Sequence, residues 1–257
     1  MKLQKQPFIC LFLFLFSMSF QAQNAEKRDS IQLIKKENHK FNYKQLIVPT
    51  VLMGYGLIGL ESDQLKLFNA IIKEEVNENI DKKFTIDDIS QYAPAVSVYA
   101  LNLMGIKGKH NFRDRSIILG TAYILMGTSV YGIKKITKVQ RPDKSNYNSF
   151  PSGHTATAFM GAEFMWQEYK DVSVWYGISG YIVAAGTGVF RIYNDKHWLT
   201  DIAMGAGLGM LSTKAAYWLF PFVNNHIFKS NKNISSAMVA PFYNGNEMGV
   251  GMLLRLN

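Results

Sequence analysis

The chain has 257 residues, 48% of them apolar, a mean hydropathy of −0.03 and a formal net charge of +9. That length suits one large domain with a sizeable core. The basic residues are dispersed between apolar runs without a nucleic-acid-binding motif, so the charge points to anionic lipid or a small anion rather than to nucleic acid.

The N-terminus, "MKLQKQPFICLFLFLFSMSFQAQNAEKRDS", places two lysines before an apolar run and then small and polar residues. This is the pattern of a secretory signal peptide over residues 1–23, with cleavage near Ala22 or Gln23. The alternative is an uncleaved anchor, for which the run falls short of the roughly 20 residues that cross a bilayer. Cys10, the one cysteine, lies inside this segment. A processed chain would have no thiol for a disulfide, a nucleophile or a thiolate metal site.

Residues 24–45 read as a polar lead-in. Residues 46–60, "LIVPTVLMGYGLIGL", are apolar but interrupted by Pro49 and three glycines. Residues 61–92 are charged and helix-prone, and "TIDD" at 85–88 looks like a helix start. A short apolar run follows at 93–106, then the basic stretch "KGKHNFRDR". Residues 116–133 are long enough to span a membrane with little to spare. Further apolar segments are 155–168, which carries Glu163, 174–190, with four glycines, and 202–221, around Lys214.

The expected fold is all-α: a bundle of about six core helices, several of them candidate membrane spans, over residues 24–230. The tail, 231–257, has a turn signal at Asn244-Gly245. Met248, Val250, Met252, Leu254 and Leu256 alternate after it, which predicts a C-terminal β-hairpin. If two of the three runs before residue 134 span and the short 93–106 run does not, the basic loop faces inside and the loop after 133 faces outside. A bundle with no span, soluble or lying on the membrane surface, is the other topology.

Three clusters carry chemistry. In "KKITKVQRP", Lys134 and Arg141 stand seven residues apart, which on a helix is one face. In "SFPSGHTATAF", Pro151 stiffens the approach, Ser152 serves as a cap, Gly153 permits a tight turn and a helix starts near His154. A helix N-terminus with free N–H groups is an anion site. In "VFRIYNDKHWLTDIAMGAG", His197 and Asp201 are at i and i+4, so Asp201 can hold Nδ1–H and leave Nε2 free as nucleophile or base. Asp195, two residues before His197, is less well placed. Alone, each cluster has a plain reading: a basic helix end, a capped helix with a surface histidine, a surface His–Asp pair. Together they combine three cations (Lys134, Arg141, Arg191), neutral donors (Ser152, Gly153), two histidines and a carboxylate. That set suits a tetrahedral oxyanion undergoing in-line displacement.

The ordered set Lys-x6-Arg-Pro, Pro-Ser-Gly-His and Arg-x5-His-x3-Asp resembles the type 2 phosphatidic acid phosphatase and vanadium haloperoxidase superfamily, in its membrane lipid phosphatase branch. The motifs cover 134–201 and the resemblance about 45–225. One departure is Phe190 before Arg191, where the family often has Ser. The resemblance implies that His197 attacks phosphorus to give a phosphohistidine and that Asp201 orients it. His154 would protonate the leaving oxygen and then activate water. Lys134, Arg141, Ser152, Gly153 and Arg191 would hold the phosphoryl oxygens, with no metal and no cofactor.

The implied substrate is a phosphorylated lipid: undecaprenyl diphosphate, phosphatidylglycerol phosphate, phosphatidate or a lipid A phosphate. The implied place is the cell envelope, inner membrane or periplasm, with the site facing the periplasm. The alternative is a soluble periplasmic acid phosphatase of broad specificity.

Overall fold

The computed structural model describes residues 43–78 and 85–227, and the backbone of 234–243 and 248–256. The expected signal peptide, its Cys10 and most of the polar lead-in lie outside the described residues. After a 3-10 turn at Tyr43–Leu46, eight helices follow: α1 Ile47–Glu61, α2 Asp63–Asn77, α3 Asp87–Ser90, α4 Ala93–Leu103, α5 Phe112–Thr137, α6 Gly153–Tyr169, α7 Val174–Tyr193 and α8 Leu199–His226. The fold is all-α over these residues. Strands β1 (Ile234–Tyr243) and β2 (Met248–Leu256) form an antiparallel pair with Tyr243 opposite Met248. The Asn244-Gly245 turn between them falls outside the described residues.

Local chemistry sets the helix starts. Ser62, Asn111, Ser152 and Ser173 stand at N-caps, each accepting a backbone N–H from the first turn. Such caps satisfy one of the four orphan donors of a helix N-terminus. Between α1 and α2 the chain bends by 101°. Asn69 of α2 then donates to Thr200 Oγ1 (2.9 Å) and accepts from Thr200 N (3.3 Å), fastening α2 to the start of α8.

α6 is the central helix, packed against α4, α5, α7 and α8, and α8 in turn packs against α1 and α5. The core along α5, α6 and α8 includes Ile118, Met126, Phe150, Met160, Phe164 and Leu208. Glycines let α8 approach α6 closely. A Cβ on Gly205 would stand 2.4 Å from Ser152 O, and one on Gly209 would stand 2.2 Å from Ala156 O. Small residues at such crossings trade side-chain volume for backbone proximity.

The two charges that interrupt apolar segments pair with each other. Lys214 Nζ of α8 donates to Glu163 Oε1 of α6 at 2.6 Å, and Gln167 and Tyr181 also donate to that carboxylate. At the other end of α6 from the capping Ser152, Glu168 accepts from His110 N and Tyr217 Oη and meets His110 Nδ1 at 2.7 Å. The basic loop before α5 is thereby tied to the C-terminal end of α6.

α5 is long and apolar enough to cross a membrane; the bent pair α1–α2 is a second candidate if counted as one span, and the eleven-residue α4 is too short. Many outward side chains are apolar, among them Ile124, Ile136, Ile182 and Phe222.

Candidate active site

The three clusters meet at one end of the bundle, where α5 and α7 end and α6 and α8 begin. Helix α5 stops at Thr137 because Lys138 adopts the left-handed conformation (φ 47°). Arg141 therefore sits in the following loop, and Lys134 and Arg141 do not share a helix face. The loop brings them together instead: Lys134, Arg141 and Arg191 interact electrostatically with one another, and Lys134 and Arg141 also with Asp201. Lys134 Nζ donates to Asn148 O and Ser149 O, bracing the stretch that leads into Ser152. The 138–152 connection carries no inserted subdomain.

His197 is 2% exposed and precedes the helix rather than lying on it, since Trp198 is the N-cap of α8. Its Nδ1 lies 3.4 Å from Asp201 Oδ2. The same oxygen accepts from Trp198 N at 2.9 Å and from Ser149 Oγ at 2.5 Å. The His–Asp pair thus arises from a capping turn, with Asp201 reaching back over the helix start. Asp195, at φ 55°, turns elsewhere, to Asn77 Nδ2 (3.3 Å) and Lys73 Nζ (3.8 Å).

Ser152 is fully buried and its hydroxyl caps α6, accepting from Thr155 N and meeting Thr155 Oγ1 at 2.9 Å. Its backbone N donates to Asp201 O at 3.0 Å, which joins the second cluster to the third. Gly153 and His154 open α6 beside it.

Three side chains that the sequence alone does not assign to the site complete it: Asp87, Asp88 and Ser149. Asp87 and Asp88 come from the four-residue α3. Asp87 is 1% exposed, pairs with Arg191 Nη1 and accepts from Asn194 Nδ2 at 2.8 Å. Asp88 Oδ1 lies 2.8 Å from His154 Nε2. Ser149 is the third such residue. Their partners are 104, 66 and 52 positions away, so no local pattern marks them.

Burial dominates the protonation of both histidines. It lowers His197 to about 4, with Lys134 and Arg191 adding to the effect and Asp201 opposing it. His154 is lowered from the ordinary imidazole range by burial and then by Arg191, against Asp87 and Asp88. A neutral, buried imidazole has a lone pair available for attack or for accepting a proton.

Two guanidinium nitrogens, Arg141 Nε and Arg191 Nε, are buried without a hydrogen-bond partner. Buried donors left unsatisfied are costly, and an anion satisfies them. Among the described residues the one group with metal-ligand spacing is Asp87, Asp88 and His154, whose ligand atoms lie within 4.8 Å of one another. In the structure those atoms are engaged by Arg191, Asn194 and one another. A cavity of about 350 Å³ opens beside Asp201, lined by Leu60, Lys66, Asn69, Gln140 and Trp198.

Residues 115–225 match the family model of the PAP2 superfamily. A lipid A 1-phosphatase of Porphyromonas gingivalis is 35% identical over 171 residues, 63% of this chain and 38% of that protein. The bacitracin transport permease protein BcrC of Bacillus licheniformis is 34% identical over 74 residues, 29% of this chain and 34% of that protein. The chain thus spans little more than a third of these curated relatives. Among solved structures, Aquifex aeolicus LpxE aligns with a TM-score of 0.43 at 20% identity, covering 59% of this chain and 95% of that one. A transmembrane PAP2 type phosphatidylglycerolphosphate phosphatase from Bacillus subtilis aligns with a TM-score of 0.43 at 17% identity, covering 72% and 100%.

Proposed function

We propose that this chain, whose residues 115–225 match the PAP2 superfamily model, is a membrane lipid phosphatase working through a phosphohistidine. The observation that carries the proposal is that Lys134 and Arg191 act on buried His197 and Arg141 on both of those cations, with two guanidinium Nε–H groups still unsatisfied. This is a cradle for a tetrahedral oxyanion beside a neutral imidazole.

In the first step His197 Nε2 attacks phosphorus. The P–N bond forms, the P–O bond to the leaving group breaks, and His154 gives its proton to the departing oxygen. In the second step water attacks phosphorus, His154 takes the water proton, and the P–N bond breaks to release phosphate and neutral His197. Asp201 balances the charge on His197 between the two steps. The three cations and the Gly153 N–H stabilise the equatorial oxygens. Ser152 contributes by capping α6 and fixing the backbone that presents Gly153 and His154. No step calls on a metal or an organic cofactor.

The many exposed large apolar side chains support a membrane setting, since extensive apolar surface seeks lipid or a partner. With α5 as a span, the basic 107–115 loop stands at its start and Lys134 in its last turn. That separation agrees with the loop inside and the site on the periplasmic side. The relative named for lipid A makes a phosphate of that lipid class the leading substrate, and the cavity lined by Trp198, Asn69 and Gln140 gives a head group room beside the site.

A panel assay of the purified chain in detergent tests the reading. It compares lipid A, phosphatidylglycerol phosphate, phosphatidate, undecaprenyl diphosphate and a water-soluble phosphomonoester, with phosphate release as the readout. Turnover of a lipid phosphate well above the soluble ester is the expected result. A preference for the soluble ester, with release of the protein by osmotic shock, would replace this reading with a soluble acid phosphatase.

A further inference from the structure

We propose that Asp88, which lies outside the matched family segment, is the positioning residue for His154: it holds Nε2–H and leaves Nδ1 to meet the leaving oxygen. The proposal rests on the reading of His154 as the acid and base of the phosphatase.

The helix that carries Asp88 is only one turn long, and side-chain bonds rather than its own length fix it. Asp87 is buried against Arg191 and Asn194 of the α7 end. Ser90 Oγ lies 2.8 Å from Thr187 Oγ1, also on α7. Gln91 Nε2 donates to Asp88 O at 2.9 Å and closes the turn. Two anchors to α7, three residues apart in sequence, orient the turn, and between them Asp88 projects to α6 and meets His154 Nε2 at 2.8 Å. Asp87 is unable to do this work, since its two oxygens are already engaged by Arg191 and Asn194.

A carboxylate accepting from one imidazole nitrogen selects the tautomer and presents the other nitrogen to the reaction. With Nε2–H held by Asp88, protonated His154 donates from Nδ1 as the P–O bond breaks, and the neutral ring keeps its Nε2 proton. In the second step Nδ1 recovers a proton from the attacking water. Asp88 acts only as a hydrogen-bond acceptor in both steps. The charged groups facing the ring are Asp87 and Asp88 from α3 and Arg191 from α7. Arg191 and burial disfavour the imidazolium, and Asp88 is the group in direct contact that favours it.

The test separates leaving groups. A nitrophenolate departs without protonation, whereas an alkoxide needs the acid. The parameter kcat/KM covers only the steps through phosphohistidine formation, so it reads proton delivery to the leaving group and not the later attack of water. The full chain in detergent is assayed with p-nitrophenyl phosphate and with an alkyl phosphate, as wild type, Asp88→Ala and Asp88→Asn. The Asp88 side chain is more than half exposed, so both replacements fit the fold.

We expect Asp88→Ala to lower kcat/KM for the alkyl phosphate by about tenfold or more, against a general-acid effect of about 10²–10⁴, with less than about threefold change for p-nitrophenyl phosphate. Asp88→Asn, which still accepts from Nε2–H, should recover part of the loss. Equal losses on the two substrates, or no loss on either, overturn the Asp88 assignment and leave the phosphatase reading standing. A wild-type chain that hydrolyses neither ester overturns both.

Discussion

Ser149 Oγ approaches Asp201 Oδ2 more closely, at 2.5 Å, than His197 Nδ1 does, at 3.4 Å. The Asp201 carboxylate is therefore held first by a buried hydroxyl and by the Trp198 N–H, with the His197 imidazole as its third partner. Its geometry belongs to the helix start, and its charge is available to His197. Substitutions can separate these two contributions.

Asp201→Asn keeps the shape but removes the charge that, on the proposed mechanism, balances a phosphorylated imidazole. It should lower kcat by about 10²–10⁴-fold. Ser149→Ala removes one of three bonds to the carboxylate and should cost tenfold or less, about 1.4 kcal/mol. Steady-state kinetics of the two variants decides the matter. A Ser149→Ala loss as large as that of Asp201→Asn would give Ser149 a direct part in the chemistry.

His197→Ala should abolish phosphate release while leaving the cation cradle of Lys134, Arg141 and Arg191 intact. Vanadate, a tetrahedral oxyanion, should inhibit the wild type and still bind the variant, which calorimetry in detergent can read. Rapid quench at alkaline pH with a labelled substrate should trap label on the wild type only. Full turnover by His197→Ala would falsify the covalent mechanism.

On the proposed mechanism the two histidines set an acidic optimum. His197 must be neutral to attack, and burial lowers it to about 4, so it is neutral above that pH. His154 must be protonated to donate, and it is lowered from 6.5, so its acid form is lost as pH rises through a value below 6.5. The kcat/KM profile of the free enzyme should fall on both sides of this window, below about 4 and above the depressed His154 value. A profile that keeps rising through pH 8 would remove His154 from the role of acid.

Chelation tests the charge balance. In the proposed mechanism three fixed cations take the place that a divalent ion holds in other phosphoryl-transfer sites. Excess chelator should leave turnover unchanged. A loss restored by added divalent metal would turn attention to Asp87, Asp88 and His154, whose ligand atoms already lie within 4.8 Å of one another.

What could be read in advance follows from the range of each interaction. Gly153 and His154 at the start of α6, and the pairing of His197 with Asp201, depend on spacings of a few residues and are legible in the sequence, although His197 stands before α8 and not on its face. The apolar runs located every long helix from α4 onward, because burial and periodicity are local signals. Lys134 and Arg141 were paired for the wrong reason. Seven residues imply one helix face only if the helix continues, and Lys138 ends it. Asp87, Asp88 and Ser149 were out of reach, since each meets its partner across 52 or more positions. The "TIDD" stretch gave a helix start and no sign of what its carboxylates touch.

The close approach of α8 to α6 gives the last prediction. Gly205 stands one turn beyond Asp201 on α8, and a Cβ there would lie 2.4 Å from Ser152 O and 3.4 Å from Ala156 N. These are backbone atoms of the cap that opens α6, and Ser152 N is already bonded to Asp201 O. No flexible side chain can yield, so Gly205→Ala must push the Ser152–His154 turn away from His197. Overpacking of this kind costs about 1–3 kcal/mol, and a shift of about 1 Å at reacting groups costs about 10²-fold in rate. Gly127 of α5 is the matched control, with nothing within 4 Å of its added Cβ. Gly127→Ala should stabilise the helix by about 0.5–1 kcal/mol and leave turnover unchanged. Thermal unfolding in detergent, read beside kcat/KM for the two variants, checks the pair. A Gly205→Ala enzyme as active and as stable as wild type would mean that the two motifs tolerate separation, and the site would then have to assemble by some route other than this helix contact.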